Sequence, residues 1–366
     1  MKIALLGAGH IGHTIAHLLV HTGDYTLTVV DQSQASLDKL AKLNVATEVV
    51  DTHDTKALES ALKGHDAVIN ALPYHLAVKI ATAAKNAGCH YFDLTEDVAA
   101  TKAIMGLAQG AKTAFMPQCG LAPGFIGIVA HHLAQGFDTL DEIKMRVGAL
   151  PAFPTNALKY NLTWSVDGLI NEYCHPCEAI HDGAVTAMLP LEGLEHFSLD
   201  GVEYEAFNTS GGLGTLCETL NGKVRNLDYK SVRYPGHRAL MQFLLSELRL
   251  INDQEALKDI MRKSVPTTMQ DVVLVFVTVS GMRAGAFVQE VFARKIFAQR
   301  AANGDEALSA IQITTAAGIC AAVDLFRAGK LPTSGFIRQE QVALPDFLAN
   351  RFGIAYEQSR RIESIS

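Results

Sequence analysis

The chain has 366 residues, 49% of them hydrophobic and 19% charged, which excludes wholesale disorder and collagen-like or coiled-coil composition and, at roughly 150 residues per domain, predicts two to three domains. Its 31 Lys and Arg against 38 Asp and Glu give a formal net charge of -7. That mild acidity offers no long-range attraction for nucleic acid or an anionic membrane.

Six scattered cysteines fit reduced, intracellular usage better than a disulfide framework. No stretch of about 18 uninterrupted apolar residues appears. The amino terminus enters glycines at once, where a signal peptide would carry its cleavage site. The expected location is the cytoplasm.

Ile3, Ala4, Leu5 and Leu6 read as a buried parallel strand that runs into GAGHIG, with Gly7, Gly9 and Gly12. A helical pattern follows (Ile11, Ile15, Ala16, Leu18, Leu19), then the strand TLTVVD ending at Asp31. Strand, glycines, helix, strand and terminal acid make a complete mononucleotide-binding unit. Gly7 permits the tight turn, Gly9 lets the backbone approach a pyrophosphate, and Gly12 permits close helix packing. The helix start at His10 and Ile11 offers unpaired N–H groups to phosphate. Asp31 is expected to accept the ribose hydroxyls. Its charge opposes a 2′-phosphate and Gln32-Ser33 supplies no arginine, so the expected cofactor is NAD.

The βα rhythm continues. Residues 45–51 form a strand ending in Asp51, placed for the adenine edge. After the helix TKALESALKG comes the strand HDAVINALP, ending at Asn70, Ala71, Leu72 and Pro73, where the nicotinamide half of a dinucleotide is expected. A helix over 75–88, the strand CHYFDLT, a helix over 99–109 and the strand KTAFMP lead into QCGLAPG. Parallel sheets bind ligands at the carboxyl ends of their strands, so Asp31, 70–73, 93–97 and 119–124 share one rim.

Beyond Gly124 a helix covers FIGIVAHHLAQG, and then the rhythm fades. A strand over 142–150 carries Lys144 and Arg146, residues 151–183 read as loop-rich, and one or two strands lie near 196–208. LDYKSVRYPGH reads as a strand closed by a glycine turn. Residues 237–250 place Leu240, Phe243, Leu244 and Leu248 at helical spacing. Residues 272–281 are a central strand, and 285–299 are open between helix and strand. From residue 305 an Ala-rich helix, stopped by Gly329 and Pro332, and a final helix over 345–351 return to the first domain. The expected fold is α/β: a discontinuous Rossmann-type domain, residues 1–123 plus 305–366, enclosing an inserted α+β substrate domain over 124–304.

Four groups stand out chemically. Asp93 and Glu96, in the run 93–97, suit amine binding or proton relay; the plainer reading is a helix start capped by Thr95. Arg233, Tyr234, Pro235, Gly236, His237 and Arg238 suit a carboxylate clamp, or a solvated basic turn. Tyr160, Asn161, Thr163, Trp164 and Ser165 line a pocket or fill a core. Gly120 and Gly124, in the run 119–124, suggest close approach to cofactor or substrate, with Cys119 not expected as a nucleophile. Cys174 and Cys177, in CHPC, lack a second paired cluster, and no metal is expected.

GAGHIG at 7–12, YFDLTED at 91–97, MPQCGLAPGF at 116–125, NLTWSVDGLINEY at 161–173 and LDYKSVRYPGH at 227–237 resemble the saccharopine dehydrogenase family, most of all its lysine 6-dehydrogenases. The resemblance implies a homodimer whose middle domain binds an amino-acid substrate and dimerises. It also implies substrate contacts at Asp93, Glu96, Tyr234, His237 and Arg238, and oxidative deamination of the lysine ε-amino group with NAD. Arg238 would hold the α-carboxylate, with Arg233 second, Asp93 or Glu96 would orient an amino group, and His237 or Tyr234 would aid proton transfer. The product would be 2-aminoadipate 6-semialdehyde, which cyclises to piperideine-6-carboxylate, with ammonia released. Alternatives are saccharopine or carboxynorspermidine oxidoreduction, with Arg146 or Arg233 as second anchor, and a catalytically silent dinucleotide-binding homologue.

Overall fold

The computed structural model describes residues 1–300 and 307–357, the side chain of Arg300 excepted. They form two compact units, residues 1–128 with 314–355, and residues 129–313 with 356–357.

Unit 1 begins with β1 (Lys2–Leu6), α1 (His10–Val20), β2 (Thr26–Asp31), α2 (Gln34–Asp38), β3 (Ala46–Val49), α3 (Thr55–Leu62), β4 (Ala67–Asn70), α4 (Ala77–Ala87), β5 (His90–Asp93), α5 (Val98–Ala108) and β6 (Ala114–Met116). The central strands are apolar without alternation because both faces are covered, and Ile3, Ala4, Leu5 and Leu6 are fully buried. Side-chain caps start three helices: Ser33 at α2, Asp54 at α3 and Asp97 at α5. The cap of α5 is therefore Asp97 and not Thr95, whose hydroxyl accepts the Asp97 N–H.

Helix α6 (Phe125–Ala134) runs from the first unit into the second. The second continues with β7 (Thr139–Pro151), α7 (Val166–Cys174), β8 (Cys177–His181), β9 (Ala184–Met188), β10 (Glu195–Leu199), β11 (Val202–Asn208), α8 (Leu216–Leu220), β12 (Val224–Arg233), α9 (His237–Gln242), α10 (Gln254–Ser264), β13 (Asp271–Arg283), β14 (Ala286–Phe297), β15 (Gln299–Arg300) and β16 (Ala307–Leu308). Its mixed sheet has eight strands, ordered β10-β11-β12-β7-β13-β14, with β8 on β12 and β9 on β8. Residues 286–297 are a strand, paired along its length with β13. The sheet curls. Phe197 of β10 stacks on Phe276 of β13 at 5.7 Å although three strands lie between them in the sheet, and Lys295 of β14 donates to the Leu199 carbonyl.

One expectation from the sequence fails here, and another holds as a helix but with its apolar residues divided. The tract 151–183 contains α7 and β8. Ser165 caps α7, and Val166, Leu169, Ile170 and Tyr173 pack at helical spacing into a core with Phe207, Met241 and Leu257. The apolar run after His237 does not turn inward as one stripe. At Phe243 the helix widens to π geometry, leaving Phe243 51% and Leu248 52% exposed while Met241 and Leu245 are buried.

The chain returns to unit 1 along α11 (Ala310–Arg327), then β17 (Gly335–Phe336) and α12 (Leu344–Ala349). Strand β17 adds to β6, giving a parallel sheet ordered β17-β6-β5-β4-β1-β2-β3. One carboxylate gathers the returning segment. Asp324 accepts from the Tyr25 hydroxyl at 2.5 Å, Arg351 Nη2 at 2.7 Å, Asn350 Nδ2 at 2.9 Å and Arg327 Nη2 at 3.2 Å. Asp324 is buried, but the Arg327 and Arg351 side chains are each 37% exposed and keep Asp24 as a partner, so losing the carboxylate costs about 1–3 kcal/mol, as for hydrogen bonds to a charged group. Asp324→Ala is therefore expected to destabilise unit 1 by about 1–3 kcal/mol, read as a lower urea midpoint, and Asp324→Asn by less.

Candidate active site

The turn between β1 and α1 leaves no room for side chains on one side and open space on the other. Gly7 has φ +102°, and a Cβ on Gly12 would lie 1.8 Å from the Gly7 carbonyl oxygen. Gly9 is exposed, and nothing lies within 4 Å of the position its Cβ would take. It precedes α1 without any side-chain cap, so the N–H groups at the start of that helix stay available to an anion. Asp31, at the carboxyl end of β2, accepts the Ala8 N–H at 2.7 Å and the Ser33 N–H at 2.8 Å, which holds the turn against β2. An open ridge of backbone donors flanked by a carboxylate fits a dinucleotide.

The neighbouring strand ends complete the edge. The Ala71 N–H donates to the Leu6 carbonyl, and Asn70 Oδ1 accepts the Leu72 N–H, so residues 70–73 lie against the Gly7 turn. The Ala71 carbonyl oxygen is 3.0 Å from where a Cβ on Gly7 would sit. Asp51 lies exposed just beyond β3 and accepts the His53 N–H. His10 and Ile11 open α1 as the spacing predicts.

Asp93 is not free for a ligand. It is 1% exposed; one oxygen accepts the N–H groups of Thr95 (3.0 Å) and Gln118 (2.9 Å), and the other accepts the Tyr91 hydroxyl (2.7 Å). Tyr91 in turn accepts from Asn70 Nδ2 at 3.1 Å. Burial raises the Asp93 carboxyl to about 6, and these donors keep it from rising further. Its three bonds tie strand ends together, which leaves Glu96 as the less committed of the two acids. Glu96 is half-buried, and desolvation, with the charges of Asp97 and Asp93, lifts it to about 7. A carboxyl titrating near neutrality beside the dinucleotide edge suits proton transfer.

Gly120 and Gly124 approach each other closely: a Cβ on Gly124 would meet the Gly120 carbonyl at 2.1 Å. The Cys119 thiol is buried, bonded to the Met116 carbonyl and Gln339, and pushed far up by burial. It is no nucleophile.

In unit 2 the residues of RYPGHR diverge instead of forming one clamp. The Gly236 and Arg238 N–H groups both donate to Glu205, which the sequence did not single out. Arg238 Nε donates to the Leu191 carbonyl, which occupies part of the fork expected to hold a carboxylate. Tyr234 donates to the Pro151 carbonyl and stacks on Tyr204, on the opposite face of the sheet from Arg233. His237 has no exposed surface. Its Nδ1 meets the Leu158 carbonyl and its Nε2 the Tyr173 hydroxyl, and burial followed by the Arg233 charge lowers it to about 3. A histidine so confined is not the proton-transfer group expected of it or of Tyr234. Tyr160 is buried and Trp164 packs on the same apolar core. The Cys174 and Cys177 thiols are unbridged and raised by burial to about 11 and 12. Among the described residues, no group of three or more His, Cys, Asp or Glu is placed to hold a metal.

The parallel sheet, the glycine turn and the terminal acid define a dinucleotide-binding protein of the Rossmann type. The Saccharopine dehydrogenase NADP binding domain matches residues 3–115, and the Saccharopine dehydrogenase C-terminal domain matches residues 120–352. The chain belongs to the saccharopine dehydrogenase family. It is 23% identical over 286 residues to the saccharopine dehydrogenase [NADP(+), L-glutamate-forming] of Pyricularia oryzae, covering 72% of this chain and 61% of that one, so it spans less than two thirds of that relative's length. Its fold is similar to that of the apo saccharopine dehydrogenase (L-Glu forming) of Saccharomyces cerevisiae, with a TM-score of 0.74 at 16% identity, over 94% of this chain and 96% of that chain.

The second and third glycines of the turn predict separable effects. Gly12→Ala forces backbone apart and is expected to lower stability by about 1–3 kcal/mol and to abolish dinucleotide binding. Gly9→Ala should leave the melting temperature unchanged and weaken dinucleotide binding alone, as followed by titration calorimetry.

Proposed function

We propose that the protein oxidises the ε-amino group of lysine with NAD, giving 2-aminoadipate 6-semialdehyde and ammonia. The observation that carries this reading is one sheet edge that combines an anion-accepting glycine turn, Asp31 and the near-neutral carboxyl of Glu96. Bound NAD would supply a hydride acceptor for the carbon that bears the amine. The substrate amine must be neutral before its carbon can release hydride, and Glu96 takes the ammonium proton. Water then adds to the resulting imine carbon, and ammonia leaves as the C–N bond breaks. Gly9 and the start of α1 hold the pyrophosphate. Asp31 receives the ribose hydroxyls and opposes a 2′-phosphate.

A second reading is oxidoreduction of a secondary amine such as saccharopine or carboxynorspermidine, and it draws support from the names of the relatives. Such substrates need a further carboxylate anchor. Arg146, one residue expected to provide it, is already bonded to Glu195 and Asp228 and is not available. That leaves Arg233 as the remaining candidate for the further anchor.

Dinucleotide reduction measured across lysine, saccharopine and ornithine tests the substrate. Ammonia released from lysine without a 2-oxoacid is expected, and saccharopine-dependent release of glutamate or a 2-oxoacid rules the lysine reading out. Asp31→Ser is expected to narrow the preference for NAD over NADP by about tenfold, corresponding to one lost charge interaction of about 1.4 kcal/mol. Glu96 acts as a base only when deprotonated, so kcat/KM should rise with pH through about 7 and then level. Glu96→Gln should be about 10²- to 10⁴-fold slower and lack that limb.

A further inference from the structure

The segment from Tyr160 to Trp164 carries two buried polar atoms for which the fold supplies no bond. Its backbone is fixed: the Leu162 N–H donates to the Pro266 carbonyl, and the Leu162 carbonyl accepts the Thr268 N–H. Tyr160, Leu162 and Trp164 pack on one apolar core. Asn161, set among them, is 4% exposed. Its Nδ2 donates to the Thr155 hydroxyl at 3.4 Å. Its Oδ1 is buried and, among the described residues, has no hydrogen-bond partner. The Thr163 hydroxyl oxygen is likewise buried without a bonded partner among them, near the Tyr160 hydroxyl but not bonded to it.

An unpaired acceptor in the interior costs stability, and an apolar side chain of the same shape would avoid that cost. The charge nearby shows what would offset it. The central carbon of Arg233 lies 5.3 Å from the centre of the Tyr160 ring. Burial raises the Tyr160 hydroxyl against the pull of the Arg233 charge and then of Thr163 and Trp164, so all three lie about that ring. Arg233 is itself bonded to the Tyr173 hydroxyl and the Val232 carbonyl, both neutral. A bare cation brought to the Asn161 oxygen is repelled by Arg233, and a bare anion meets another acceptor there. A zwitterion satisfies both, with its carboxylate toward the guanidinium and its ammonium toward the amide oxygen and the hydroxyl.

We propose that Asn161 Oδ1, with the Thr163 hydroxyl, binds the α-ammonium group of an amino-acid substrate and selects α-amino acids over acids that lack it. This deepens the reading above, on which the substrate class rests. The alternative is an amide kept only for its bond to Thr155.

Ligand pairs that differ by the α-ammonium alone isolate the contact: lysine against 6-aminohexanoate, and glutamate against glutarate. Each is titrated calorimetrically into the protein holding reduced dinucleotide, so that binding is read without turnover. In at least one pair, wild type is expected to bind the α-amino acid about 30-fold more tightly. Asn161→Leu should erase that ratio, leave the affinity for the other member in place, and hold or raise the melting temperature. Asn161→Asp keeps an acceptor and removes the amide donor, so it should hold or enlarge the ratio. Thr163→Val should lower it about fivefold, and this variant decides if Asn161→Leu does not fold. If lysine is not oxidised while glutamate keeps an Asn161-dependent advantage over glutarate, the substrate reading fails and this assignment stands. No advantage in either pair, an unchanged ratio in Asn161→Leu or Thr163→Val, or loss of the ratio in Asn161→Asp overturns the proposal.

Discussion

The carboxylate of Asp93 is tied to three strand ends at once. Through Tyr91 it reaches Asn70 at the end of β4, and through the Thr95 and Gln118 N–H groups it holds the exits of β5 and β6. Hydrogen bonds to a charged group are worth about 1.5–3 kcal/mol each, enough together to offset much of the cost of burying the acid. The rim of unit 1 depends on this tie, because Asn70 also sets the Leu72 N–H and with it the segment packed on Gly7. The acid itself is 1% exposed, so this tie is made out of reach of bulk water. Three residues on, at Glu96, desolvation has not been offset by donors of that number.

Much of unit 1 is legible in the sequence because its signals are local. The glycine spacing, the unalternating apolar strands and the acid after β2 each have one physical cause, and they agree with one another. Asp93 misleads for an equally physical reason: sequence shows that an acid is present but not how many donors tertiary structure brings to it. Helix α7 escapes notice although Ser165 and the spacing Val166, Leu169, Ile170, Tyr173 announce it, because Pro and aromatic residues around it suggest loop. In RYPGHR the clue is the period of two in a strand, which sends Arg233 and Tyr234 to opposite faces. Composition alone joins them.

The buried charges of unit 2 also qualify the net charge of -7. Overall acidity governs what the surface attracts at a distance. It says nothing of a desolvated guanidinium, whose behaviour is set by the two or three groups within bonding reach. Arg146 and Arg233 differ in that local company, and the curled sheet provides it: bringing β10 across the face supplies Glu195 to Arg146, while on the other face Arg233 bonds the Tyr173 hydroxyl and the Val232 carbonyl beside two aromatic rings.

The gathering of Tyr25, Arg327, Asn350 and Arg351 on Asp324 has a consequence for synthesis. A ribosome releases the chain from its amino end, so β1 to β6 emerge long before the residues that complete their sheet and occupy their acceptors. During that interval the nascent dinucleotide domain exposes the edge of β6 and a tyrosine without its partner, while all of unit 2 is being made. Vectorial folding, in which the first domain finishes first, is thereby denied to this chain: its earliest-made half is the last to be completed.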